Sequence, residues 1–149
     1  MAQFARPSDD TVIGDYVDAA DGTTDIFESI DESSASDADY IKSTASPSDE
    51  VYVAALSAVT DPVSAANHVM RMRTSNDVES GGEELDYTLE LREGYTDEEN
   101  QGTLIATLTR SGVTDDTWTD SSYTLSSGEA NAITDYSDLF YRLVVTVAS

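Results

Sequence analysis

Residues 85–92 read LDYTLELR, and apolar and polar side chains alternate without a break. Leu85, Tyr87, Leu89 and Leu91 fall on one side; Asp86, Thr88, Glu90 and Arg92 fall on the other. A period of two belongs to an extended strand, whose successive side chains point to opposite faces. It predicts an antiparallel strand with one face on a core and the other in water. Residues 139–147 (LFYRLVVTV) keep the same period, with Leu139, Tyr141, Leu143, Val145 and Val147 together. Phe140 and Val144 make the second face partly apolar, which places this strand in the middle of a sheet.

Weaker strand signals fill the rest of the chain. Residues 11–17 (TVIGDYV) read as a first strand with Gly14 as a bulge. Residues 39–42, 50–56 (EVYVAAL), 68–73 (HVMRMR), 103–110 (TLIATLTR) and 117–125 (TWTDSSYTL) follow, the last a polar edge strand. Residues 68–73 put His68, Met70 and Met72 on one face and Val69, Arg71 and Arg73 on the other. Residues 24–30 fit a strand or one helical turn. Ser126 and Glu129 have the spacing of a capping box, so 126–133 read as one or two helical turns. Turns are expected at 43–49, 76–84, 95–102 and 112–116. About eight short strands of this kind predict an all-β fold, a single antiparallel β-sandwich, jelly-roll-like, with an immunoglobulin-like order as the rival. Residues 11–149 are expected to form that domain, and 1–10 an N-terminal segment. An arm docked on a neighbouring chain and a loose terminus both fit that segment.

Charge narrows the function. The chain holds 30 acidic residues against seven basic ones, a formal net charge of −23, and only Lys42 is a lysine. Such a surface repels nucleic acid and lacks the basic patch that binding to it requires. Self-repulsion weakens the compact state in dilute buffer, and salt screens it, since the Debye length shrinks from about 10 Å at 0.1 M to about 3 Å at 1 M. The melting temperature is therefore expected to rise with added salt; a flat or falling trend in a thermal melt would overturn this. Cysteine is absent, which excludes disulfides, thiolate nucleophiles and Cys-based zinc sites. No apolar run approaches the roughly 20 residues of a membrane span, and residues 1–7 lack the apolar stretch of a signal peptide. Synthesis in a cytoplasm is the expectation.

Candidate chemistry is sparse. His68 is the only histidine and reads as a structural or surface residue. No Gly-x-Ser-x-Gly elbow occurs, and no acid pair has a fixed separation, so an enzyme is not expected. Acids cluster at Asp18, Asp21 and Asp25, at Asp97, Glu98 and Glu99, and at Asp115 and Asp116. Hard cations such as Ca²⁺ or Mg²⁺ take several oxygen ligands, and these are the residues that would supply them. With so many acids a diffuse hydrated surface is the favoured reading, and no cofactor is expected. Interface candidates are the large or basic side chains Phe4, Arg6, Arg71, Arg73, Trp118 and Tyr123. In so acidic a chain the arginines are expected to pair with carboxylates inside the domain or across a subunit interface.

Several stretches together resemble a known class. They are Ala5-Arg6-Pro7, Ile30-Asp31-Glu32, Ser36-Asp37-Ala38-Asp39-Tyr40-Ile41, Asp61-Pro62 and His68-Val69-Met70-Arg71-Met72-Arg73. Leu89-Glu90-Leu91-Arg92-Glu93-Gly94 and Ile133-Thr134-Asp135-Tyr136-Ser137-Asp138-Leu139 complete the set. In this order, over nearly the whole chain, they resemble small virion structural proteins of tailed viruses. The resemblance implies a jelly-roll sandwich bound to a capsid or tail surface, with no catalytic residues to carry over. The many Asp and single Lys also resemble proteins of extreme halophiles, which implies a halophilic host. The expected role is a capsid decoration or cement protein on the outer capsid surface. Its partners would be the major capsid protein or other virion proteins, and it would form a homo-oligomer such as a trimer. A turret, head-completion or tail component is the first alternative, and a carbohydrate-binding module the second.

Overall fold

The computed structural model describes residues 2–44, 47–77, 82–114 and 116–149. These residues contain nine strands, one short α-helix and one 3₁₀ turn, and every strand pairing is antiparallel. The fold is an all-β sandwich. Parts of the turns expected at 43–49, 76–84 and 112–116 lie outside the described residues.

One layer is a five-stranded sheet. It contains β1 (Pro7–Val12), β4 (Glu50–Leu56), β9 (Leu139–Val147), β6 (Leu85–Glu93) and β7 (Thr103–Val113), in the order β1-β4-β9-β6-β7. The doubly apolar strand β9 does lie at its centre. Register brings Leu108, Leu89, Leu143 and Tyr52 into one row across four strands. That row and its neighbours form the inner face, and the apolar half of each alternating strand is spent on it.

Two ribbons and two short helical segments cover this face. β2 (Tyr16–Asp18) pairs with β3 (Ile41–Ser43), and β5 (Val69–Thr74) pairs with β8 (Thr119–Thr124). A 3₁₀ turn spans Ile26–Ser29, and α1 spans Ser127–Ala132. Half of the core gathers Met70, Leu125, Ala130 and Ile133 against Leu89, Leu91 and Leu108. The other half gathers Tyr16 and Ile26 against Tyr52, Tyr87 and Val145. Met72 of β5 packs against both halves.

Local chemistry fixes the helical segments. The Ser126 hydroxyl accepts from the Glu129 amide, and the Glu129 carboxylate accepts from the Ser126 amide at 2.6 Å, so the capping box is complete. The 3₁₀ turn borrows its cap from β1. Asp10 accepts from the amides of Ile26 at 2.7 Å and Phe27 at 3.1 Å, and from the Tyr52 hydroxyl at 2.7 Å. One carboxylate thereby ties the turn to two strands and answers two otherwise orphaned amides.

The single strand expected over 11–17 is two strands in different layers. Gly14 turns the chain between them at φ 57°, in the left-handed region. A side chain there would come within 2.5 Å of the Val51 carbonyl oxygen, so the close approach as well as the angle needs glycine. The segment expected over 1–10 is shared: residues 7–10 belong to β1, and the preceding stretch is tied to its own chain. Gln3 donates to the Thr60 carbonyl at 2.9 Å and accepts from the Thr60 amide at 2.8 Å.

Candidate functional site

The β5–β8 ribbon has two faces with different chemistry. Alternation turns Met70, Met72 and Tyr123 inward, where Met70 is buried and Tyr123 packs on the core. It turns Val69, Arg71 and Arg73 outward, as their spacing predicted. Across the ribbon these three meet Thr124, Ser122 and Asp120.

Arg73 is engaged within the molecule. Its Nε and Nη2 donate to the two Asp37 oxygens at 2.6 and 2.8 Å, and its Nη1 donates to Asp120 at 3.1 Å. A planar guanidinium matched to a carboxylate in this forked way is well suited to holding a loop. Asp37 lies in the segment before β3, so the bridge clamps that segment to the ribbon. Trp118, just ahead of β8, rests against Tyr40 of the same segment, with ring centres 5.3 Å apart.

Arg71 differs. It is exposed, and among the described residues it forms no hydrogen bond or ion pair. Every other basic residue has a partner. Lys42 meets Asp21 at 2.8 Å, and Arg6 donates to the Asp31 carbonyl at 2.9 Å. Arg110 donates to the Thr74 hydroxyl at 2.7 Å. Beside Arg71, Val69 is 42 % exposed. An apolar side chain, an unpaired cation and two hydroxyls thus form a small patch on a chain otherwise dominated by acid.

A second charged group lies on the outer face of the five-stranded sheet. Register sets Glu90 opposite Arg142. Arg142 donates to Glu90 at 3.2 Å and to Glu98 at 2.6 Å, and Arg92 donates to Glu90 at 2.7 Å. The Tyr95 hydroxyl donates to Glu98 at 2.7 Å, and the Tyr95 ring lies 5.7 Å from that of Phe140. The 95–102 hairpin folds over the sheet in this way and leaves the three strand residues' side chains only 11–15 % exposed.

These contacts set an acid dependence. The Arg142 hydrogen bonds hold the Glu98 carboxyl below the usual carboxylate range, against the effect of burial and with help from Tyr95. Burial also opposes the charge of Glu93, but the Thr134 hydroxyl and the amides of Thr134 and Asp135 outweigh it and lower that carboxyl too. A carboxyl lowered in the folded state takes up protons first when unfolded. Its stabilisation is therefore complete above about pH 4.5 and is lost as pH falls through the folded values. Glu32, raised by burial and by its contact with Asp39, acts in the opposite sense. Urea unfolding at pH 7 and pH 3 should show a larger acid loss for the wild type than for Arg142→Ala. Equal losses would remove the Arg142–Glu98 contact from the account.

The remaining sequence candidates are scattered. Tyr123 is committed to α1, its hydroxyl donating to Glu129 at 3.0 Å. Phe4, 53 % exposed, and Arg6 lie on the stretch leading into β1. Asp18 closes its own turn by accepting from the amides of Ala20 and Gly22, and Asp97 does the same for Glu99 and Asn100. Asp21 and Glu98 face cations, Asp25 begins the 3₁₀ turn, and Glu99 and Asp116 are exposed. Asp115 lies outside the described residues. Among those described, no three His, Asp or Glu side chains gather to hold a metal ion. His68 meets the Tyr136 hydroxyl at 2.8 Å beside an open groove of about 250 Å³. No described helix is long and apolar enough to cross a membrane.

No family model matches the chain, and no curated protein or solved structure matches it either.

Proposed function

We propose that this chain is a non-enzymatic structural protein of a virion, a capsid decoration protein that binds the outer surface of the shell and stabilises it. The observation that carries the reading is the outward face of the β5–β8 ribbon, where Arg71 is left unpaired beside exposed Val69. Arginine is weakly hydrated for a cation and enriched in interfaces, so an arginine spared from internal pairing suits a protein–protein contact within a shell of many copies. The ribbon beneath it is anchored through Met70, Met72 and the Arg73–Asp37 bridge, which supplies a rigid platform. Sequence resemblance to small virion proteins supplies the setting. Each copy contributes a modest contact, and a shell carrying many copies adds them up.

Quantitative mass spectrometry of purified virus particles tests this. A copy number comparable to the major capsid protein is expected. A handful of copies would overturn decoration in favour of a turret, head-completion or tail role. Absence from particles would overturn the virion reading altogether. In that case the aromatic pair Tyr40–Trp118 makes a carbohydrate-binding module the reading to pursue.

A further inference from the structure

We infer that the outward face of the β5–β8 ribbon is where copies of this chain associate, with Arg71 of one copy taking a carboxylate of the next. The inference rests on the reading of the chain as a multi-copy structural protein and names the first contact such a protein makes.

The argument begins with numbers. Thirty acids share the chain with seven bases, so an exposed arginine has carboxylates available in abundance. Arg73, two residues away on the same face, takes two of them. Arg71 takes none among the described residues. Register and pairing explain why: its cross-strand partner is Ser122, one flanking pair is Val69 with Thr124, and in the other flanking pair Asp120 is already held by Arg73. Four neighbouring outward positions therefore carry one cation, one exposed valine and two hydroxyls, and no acid.

Charge complementarity selects the occupant. Two bodies of net charge −23 repel wherever acid meets acid. They can meet closely only across a face that is locally neutral or positive, and the Val69–Arg71–Ser122–Thr124 patch is such a face. With thirty acids in the chain, a second copy offers carboxylates in abundance. Arg71 then gains the forked partner that its own chain denies it, and Val69 gains cover from water. Salt assists, because it screens the repulsion between whole molecules more than the contact between touching groups.

Sedimentation equilibrium of the full chain in 1 M NaCl tests the inference with two variants. Arg71→Glu reverses the charge. Ser122→Glu keeps the arginine but places a carboxylate beside it in the same chain, so the internal pair competes with the external one. The wild type should form a defined oligomer, and each variant should raise its dissociation constant by about tenfold or more, as loss of an interfacial charge pair does. Both positions are solvent-exposed, and unchanged circular dichroism would show that the fold is intact. A wild type that stays monomeric in molar salt overturns the inference. So does an oligomer that either folded variant leaves intact. Neither result touches the copy number in particles, so the inference can fail while the virion reading stands.

Discussion

Arg142→Ala is expected to lower the unfolding free energy by about 2–4 kcal/mol, toward the range for breaking a desolvated ion pair. The reasoning turns on which carboxylate is stranded. Glu98 is 40 % exposed, so once Arg142 is gone it regains water. Glu90 is only 15 % exposed and keeps Arg92 alone. Most of the cost therefore falls on Glu90, and Glu98→Gln should cost under about 1 kcal/mol, as exposed pairs do. For a chain of this size each kcal/mol moves the melting temperature by about 2–4 °C, so the Arg142 variant should melt roughly 4–16 °C lower. Thermal and urea unfolding of the two variants side by side checks the assignment. A Glu98→Gln loss as large as that of Arg142→Ala would show that the hairpin contact, not the strand pair, holds the energy.

Met70→Ala is expected to cost about 2–5 kcal/mol, the range for truncating a large buried aliphatic side chain and leaving a cavity. Met70 is 1 % exposed, the most buried side chain of β5, and packs in the core with Leu56, Leu89 and Leu125. Its loss should loosen the β5–β8 ribbon more than the five-stranded sheet, because the ribbon has no third strand to hold it. Amide exchange should therefore quicken in β5 and β8 while β6 and β9 stay protected. Uniform quickening across all strands would mean that ribbon and sheet unfold as one unit.

The sequence was most readable where one strand's own pattern decides its fate. β4 and β9 begin and end where alternation placed them, and the second apolar face of β9 marks its central position. Ser126 and Glu129 announced α1 because a capping box is local chemistry. Reading failed where the answer depended on a distant neighbour. Gly14 looks like a bulge within 11–17; only the nearness of the Val51 carbonyl makes it a turn between layers. Alternation put Arg71 and Arg73 on one face, yet nothing local says that Asp37, from a segment before β3, meets one and not the other. The Glu90–Arg142 pair likewise needs the register of β6 against β9, which neither strand reveals alone.

The placement of β9 governs the order of assembly. β1 and β4 pair with each other, as do β6 and β7, but the two pairs share no edge. Only β9, which follows all of them in the chain, joins them, taking β4 on one side and β6 on the other. On a ribosome working from the N-terminus, two strand pairs must wait with their inner edges open until residues 139–147 emerge. Such long-range closure is slow and leaves strands open to wrong partners in the interval. The surplus of carboxylates then takes on a second use, as a repulsion between half-made copies that keeps waiting edges from finding one another.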